Sequence, residues 1–370
     1  MTIAAILGIV GNVADANFLL KERKGVDPIE WIVERQVYWS KCRNIGRPMK
    51  SLPRVGTKCV IDMHVHIGPE FLRRRYSAAS LAEEAREEGF GVVMKNHFQP
   101  TTGQVSQLRR PDDTVPLIGS VALNFNCGGL DDHGVRAGLS GWKADVTAED
   151  PDADRFVVWM PTMCCEAHLR LYNRHDISLS WGVKSEYTRF YAEGTGYSLD
   201  LNDGPRITAA DRALELIKKH DLVLATGHLD KQETLALVQR AYKAGIRRLI
   251  LTHPLFPATA LSPQEMAEMW SAYGAYSELC FSNLAMDHLT YDQYMSVIEA
   301  VGSEGVLLSS DVGQIFSPTV KDSLIEFFSE LRQRGIKEDD IVQMSVLNPN
   351  RLLFEKFSVE RASDEAVAAA

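Results

Sequence analysis

The sequence has no long apolar run. Although 45% of its 370 residues are hydrophobic, no stretch reaches the roughly 18 apolar residues that a membrane span requires. It also has no C-x-x-C pair. Its six cysteines are Cys42, Cys59, Cys127, Cys164, Cys165 and Cys280, and the adjacent Cys164–Cys165 suits neither an ordinary disulfide nor a zinc clamp. They read as reduced, mostly buried thiols of a cytoplasmic protein. Basic charge is not in excess: 40 Lys and Arg face 49 Asp and Glu, for a net charge of −9. That leaves no electrostatic footprint for nucleic acid. No G-x-G-x-x-G opens the first strand-to-helix turn, which argues against a dinucleotide-binding open sheet. The apolar opening "MTIAAILGIVGNVADANFLL" lacks a positive n-region and is broken by one Asp and two Asn, so it does not read as a secretory signal. Internal repeats and low-complexity tracts are also missing. What remains is the composition of a soluble globular protein.

From residue 57 onward, short β-branched runs alternate with amphipathic helical patterns. The strand candidates are "CVIDMHVHI" (59–67), "GVVMKNHF" (91–98), "PLIGSVALN" (116–124), "RFVVWMPT" (155–162), "DLVLATGH" (221–228), "RRLILTHP" (247–254), "AYSELCFS" (275–282) and "GVLLSSDV" (305–312). Stretches such as "DKQETLALVQRAYKAG" have apolar spacing of 3–4 residues and a terminal Gly245 suited to a helix C-cap. Eight strand–helix units predict an α/β fold, a (β/α)8 TIM barrel, over residues 57–355. Residues 163–206, between strands four and five, are too long for an ordinary connection. Trp181, Tyr187, Phe190, Tyr191 and Tyr197 make them a folded β4–α4 flap over the barrel mouth. Residues 1–56 form an N-terminal helical extension, where "PIEWIVERQVYWSKC" either closes the barrel floor or meets a second subunit. The tail 356–370 reads as frayed.

The chemistry begins at "CVIDMHVHIGPE". In a strand, positions i and i+2 share a face, so His64 and His66 stand side by side, about 7 Å apart along the strand. His97 ends strand two, His228 strand five, His253 strand six and Asp311 strand eight. A barrel gathers its strand ends on one rim, where its active sites lie. Imidazoles and a carboxylate suit Zn2+ or another first-row divalent ion, and such an ion brings the pKa of bound water to about 7. A lone histidine at a strand end is ordinarily a satisfied surface group; five on one rim, with an aspartate, point to ligation.

"DMHVHIGP", "ATGHLD", "LTHP" and "SSDVG" in this order, followed by "NPNRLL", resemble the amidohydrolase superfamily over residues 57 to about 355. The resemblance implies that His64, His66 and Asp311 hold one metal, and that His228 and His253 hold or assist a second. Strand four ends "VVWMPT", without the lysine or glutamate that bridges two metals in many members. Lys95, on the same face of strand two as His97, leaves three readings open. It is carboxylated and bridges two ions, or it stays an ammonium that binds a carboxylate or polarises a carbonyl. In the third reading the site holds one ion, on His64, His66, His228 and Asp311, with His253 as an acid beside it.

His97, Glu166, His168 and Arg170 are candidates for substrate contact; a solvated helical face is the plain alternative for the last three. Asn124 and Asn126 either bind substrate or turn the chain. The expected activity is hydrolysis of an amide, cyclic amide, lactone or ester of a small molecule by a metal-activated hydroxide, with Asp311, Lys95 and His253 as catalytic groups. A one-metal decarboxylase or lyase of the same superfamily is the alternative. Zn2+ is the first choice of cofactor, with Mn2+, Fe2+ or Ni2+ also compatible. No nucleic acid or membrane partner is expected, and the N-terminal extension invites a homo-oligomer.

Overall fold

The computed structural model describes residues 51–71, 73–142, 155–173, 196–199 and 204–355. All eight expected strands form: β1 (Ile61–His66), β2 (Gly91–Lys95), β3 (Leu117–Ile118 and Ser120–Ala122), β4 (Val157–Trp159), β5 (Val223–Ala225), β6 (Leu249–Leu251), β7 (Ala275–Cys280) and β8 (Val306–Ser309). Each pairs in parallel with the next. β3 is interrupted at Gly119, where a Cβ would lie 2.6 Å from Thr102 Cα, so the helix behind it presses on bare backbone. The ring closes between β1 and the end of β8. His66 N–H donates to Val312 O and Asp311 N–H to His64 O, both at 2.8 Å. The fold is therefore a closed (β/α)8 barrel.

Local chemistry sets the helix boundaries. Ser77, Asp230, Ser262 and Thr290 each complete a capping box, and Pro263 occupies the first turn of Pro263–Tyr273. These side chains satisfy N–H groups that the helix itself leaves without partners. Gly245, at φ +97, ends the helix Lys231–Lys243 as its pattern anticipates.

The period of two divides the strand side chains into two layers. Val92, Met94, Leu308 and Leu279 face the helices, whereas Val93, Trp159, Tyr276 and Leu307 fill the barrel interior. On three strands the inward column passes from apolar to polar toward the C-terminal end: Val93 then Lys95, Tyr276 then Glu278, Leu307 then Ser309. β1 needs a correction to do the same. Ile61 and Met63 face inward, so strict alternation would turn His64 and His66 outward. A register shift between Asp62 and Val65 reverses the pleat, and Val65 joins the outer layer. Asp62 fixes the shift, its Oδ1 accepting the N–H groups of His64 (3.1 Å) and Ser310 (3.0 Å). Bulges of this kind re-aim side chains beside active sites.

The floor is closed by the helix Asn348–Phe354, whose Leu352 and Leu353 enter the interior cluster. Arg248 donates to the carbonyls of Leu352 and Glu355, and Arg155 to that of Leu353 (3.0 Å). Asp221 receives both guanidinium groups. Cations at a helix C-terminus satisfy its last carbonyls and its dipole.

Of the N-terminal extension, residues 1–50 lie outside the described residues, as do the tail 356–370 and most of the flap, including Trp181, Tyr187, Phe190 and Tyr191. The flap's described ends are joined: Glu166 N–H donates to Tyr197 O (2.7 Å) and Tyr197 N–H to Cys164 O (2.8 Å). Cys59, Cys127, Cys164, Cys165 and Cys280 are free and buried. Among the described residues, no helix is long and apolar enough to cross a membrane.

Candidate metal centre

The polar tops of the inward columns meet at the C-terminal end of the barrel, under a cavity of about 220 Å³. His64, His66, Lys95, His97, His168, His228, His253 and Asp311 all line it. At its base, His66 Nε2 lies 2.9 Å and His64 Nε2 3.3 Å from the same oxygen, Asp311 Oδ1. One donor atom from each of the three falls within 4.8 Å of the other two. Asp311 Oδ2 accepts the Ser282 hydroxyl at 2.9 Å, which turns Oδ1 toward the histidines.

The electrostatics suit a cation. Burial pushes His66, His97 and His228 well below the ordinary imidazole range and His253 down to about 4. These rings are therefore neutral at pH 7 and keep a lone pair. Burial pushes Asp311 the other way, but the His64 and His66 rings beside it hold its carboxyl well below its usual range. His253 Nδ1 is buried with no hydrogen-bond partner. Buried polar atoms are normally satisfied, so an orphan beside two imidazoles and an ionised carboxylate fits a divalent ion. His253 (φ +26) and Asp311 (φ +51) both occupy left-handed backbone, a strained conformation that clusters at functional sites. Two residues after Asp311, a Cβ on Gly313 (φ +130) would lie 2.1 Å from His66 O, so only glycine lets the two strand ends come this close.

Lys95 is fully buried, with Nζ 2.8 Å from His64 Nε2 and 4.7 Å from the centre of the Trp159 ring. Burial lowers its pKa from 10.5 to about 8, against the opposing charges of Asp311 and Glu278. His97 Nδ1 is 2.9 Å from Thr162 Oγ1, and His228 Nδ1 is 2.9 Å from His168 Nδ1. Thus His168 enters the cavity wall by way of His228. Two other flap candidates point elsewhere. Glu166 Oε2 accepts Gly196 N–H at 3.0 Å, tying the flap ends, and Arg170 pairs with Asp230 at 3.4 Å on an exposed surface. Neither lines the cavity. Asn124 Nδ2 donates to His97 O and Thr162 Oγ1, and its Oδ1 accepts Thr162 N–H, so it braces neighbouring loops. His288 also lines the cavity.

Residues 59–278 match a family described as a family of unknown function, DUF6282. The chain belongs to that family. The match runs from the start of β1 into β7, and so contains every candidate ligand except Asp311. A comparison with curated proteins finds no match. Among solved structures, the chain is similar to organophosphorus hydrolase from Deinococcus radiodurans, at 14% identity and a TM-score of 0.42, over 84% of this chain and 99% of that one. It is similar to dihydroorotase from Campylobacter jejuni at 11% identity and 0.43, over 84% and 86%. A probable 2-pyrone-4,6-dicarboxylic acid hydrolase from Acinetobacter baumannii gives 13% identity and 0.45, over 79% and 98%.

Sequence reasoning missed Glu278 and Arg74. Glu278, 1% exposed, places Oε2 3.2 Å from His64 Nδ1 and accepts the Ser309 hydroxyl on Oε1 at 2.9 Å. Its signal was present as the lone acid in the strand "AYSELC". Arg74 pairs with Glu70 and reaches within 3.4 Å of His66 Nδ1. It comes from a loop with no periodicity to place it.

Proposed function

We propose that the protein is a metal-dependent hydrolase of the amidohydrolase type, cleaving an amide, cyclic amide, lactone or ester bond of a small molecule. One observation carries this reading: His64, His66 and Asp311 converge on one point at the base of a cavity where burial keeps His97, His228 and His253 neutral. These three would hold a divalent ion, Zn2+ in the first instance, with His228 and His253 completing its surroundings. Such an ion acts as a Lewis acid toward a carbonyl oxygen and acidifies water.

The chain's own groups supply the rest. Asp311 stays ionised and is oriented by Ser282, so it can take a proton at Oδ1 and return it to the leaving group. His253, neutral at pH 7, offers a hydrogen bond to the oxygen on which charge develops. Tyr172, Phe256, Met163 and Met286 give the cavity an apolar wall that excludes water from one side of a bound molecule. Lys95, at about 8, keeps a fraction of unprotonated amine at neutral pH, the form that takes up CO2 as a carbamate. A carboxylated Lys95 belongs to the version of the site with two ions.

A one-metal decarboxylase is the second reading. It is favoured by the Lys95 ammonium, which lines the cavity beside the same ligands and can hold a carboxylate. The test is to strip the chain of metal, reload it with Zn2+, Mn2+ or Ni2+, and count ions bound. The reloaded protein is then offered a panel of esters, lactones and cyclic amides. Metal-dependent turnover supports the first reading. One ion per chain with CO2 release from a carboxylate substrate supports the second. A chain that binds no divalent ion overturns both.

A further inference from the structure

We propose that Glu278 is a positioning residue that holds His64 in the tautomer and ring orientation needed for ligation, an inference that rests on the metal-centre reading above. A carboxylate only accepts hydrogen bonds. Facing Glu278 Oε2 at 3.2 Å, His64 Nδ1 must carry the ring proton, which leaves the lone pair on Nε2. The other side of the ring agrees. Nε2 faces Lys95 Nζ at 2.8 Å, a donor, while the Asp311 oxygen 3.3 Å from Nε2 is the group with which it would share an ion. The two shorter contacts, Glu278 on Nδ1 and Lys95 on Nε2, select the same tautomer.

Glu278 is itself fixed. Ser309 donates to its second oxygen at 2.9 Å, and Tyr276 and Cys280 flank it in the same inward column of β7. It does not line the cavity, so it acts through His64 and not on substrate. A carboxylate behind a ligating histidine sets the tautomer, aims the ring and raises its basicity, and removing such a partner typically costs about 10–100-fold in metal affinity. The neighbouring ligand is supported differently: His66 Nδ1 faces the Arg74 guanidinium at 3.4 Å. Of the two contacts, the one behind His64 is the one with a carboxylate.

His64, Glu278 and Cys280 also form a group of donors within 4.8 Å of one another, with Cys280 Sγ 4.0 Å from His64 Nδ1. If that group held an ion itself, Cys280 would matter as much as Glu278. The experiment separates the two roles. Zn2+ affinity of the metal-stripped full chain is measured by competition with a chromophoric chelator, and the thermal melt of each metal-free variant reports folding.

E278Q keeps the shape and loses the charge; it is expected to bind Zn2+ about tenfold more weakly, and E278A about 100-fold. C280A should bind as the wild type does. The visible spectrum of the Co2+-loaded chain should change in E278Q and not in C280A. Equal affinity in E278Q and wild type overturns the proposal, as does a loss in C280A that matches E278Q. If E278Q does not fold without metal, S309A carries the test: freeing Oε1 should weaken Zn2+ binding in the same direction, and unchanged affinity overturns the role. A wild type that binds no Zn2+ sinks the centre itself, whereas tight binding shared by wild type and E278Q sinks only the part given to Glu278.

Discussion

At the floor of the barrel, all three guanidinium nitrogens of Arg248 find partners: both oxygens of Asp221 and the carbonyls of Arg351, Leu352 and Glu355. At the mouth, His253 Nδ1 is buried without one, and Lys95 carries a fully buried amine in the cavity wall. One end satisfies its polar groups and the other leaves them under tension. In barrels of this kind the N-terminal face serves stability and the C-terminal face serves chemistry. Here the division can be read from hydrogen bonds alone. It also predicts how the two ends respond to substitution.

The largest effect is expected at the mouth. Asp311→Asn keeps a residue that tolerates left-handed backbone and removes the ionised carboxylate. Turnover of the first panel substrate that the wild type cleaves should fall by about 10²–10⁴-fold, the usual worth of a positioned proton-transfer group. The midpoint of unfolding of the metal-free chain should move little. Full turnover in D311N would falsify the proton-transfer role given to Asp311.

The floor should answer in the opposite way. Arg248→Met removes a fully buried side chain, strands carbonyls at the end of the last helix and leaves Asp221 with Arg155 alone. Orphaned buried acceptors cost about 1–3 kcal/mol each, so denaturant unfolding should show a loss of about 3 kcal/mol. Zn2+ affinity per folded molecule should not change. A parallel loss of metal affinity would mean that the two ends are coupled, and the comparison would break.

The two ends were not equally legible in the sequence. The mouth was: "HVH", "KNH", "TGH", "LTH" and "SSD" each stand at the end of an apolar run, and barrel topology collects strand ends. Glu278 was not read, because an acid inside "AYSELC" means nothing until β8 brings Ser309 beside it and β1 brings His64. The reversal of pleat at Asp62–Val65 was also invisible. Simple alternation puts His64 and His66 on one face, as they are, but puts them outside a barrel that already has Ile61 and Met63 within. The floor was hidden for a different reason. The 3.6-residue pattern marks Asn348–Phe354 as a helix but not its seat, which is fixed by arginines nearly 200 and about 100 residues earlier in the chain.

A third substitution sharpens the contrast by stabilising the mouth while disabling it. Lys95 titrates at about 8 in the folded chain against 10.5 unfolded, because burial disfavours the ammonium. A lowered lysine value means that folding carries a cost below pH 8, which is relieved as pH rises toward 10.5. Lys95→Met fills similar volume without charge. The metal-free variant should gain about 2 kcal/mol at pH 7, less than the full shift implies because contacts to His64 and Trp159 are lost. That gain should shrink at pH 10 in urea unfolding, while hydrolysis disappears. A K95M chain less stable than wild type at pH 7 would show that the lysine is a structural member of the mouth and not a strained one.

The smallest effect belongs to the floor and has the reverse sign. Burial alone would raise Asp221, but the Arg248 and Arg155 guanidinium groups outweigh it and hold the carboxyl below its ordinary 3.8. A lowered carboxylate contributes stability that is complete above the unfolded value and is lost as pH falls through the folded one. The window therefore opens below about pH 4, where the wild type should lose stability relative to Asp221→Asn. The side chain is 55% exposed, so solvent screening keeps the difference to about 1 kcal/mol or less. Urea unfolding of both proteins from pH 6 to pH 3 measures it: the curves should converge on the acid side and run parallel above pH 5. Because Arg248 is the first of the opposing causes, the same series in Arg248→Met should flatten the acid dependence. If the difference between wild type and D221N instead grew toward low pH, the arginines would not be holding that carboxylate ionised, and the floor would owe its stability to packing of Leu352 and Leu353 alone.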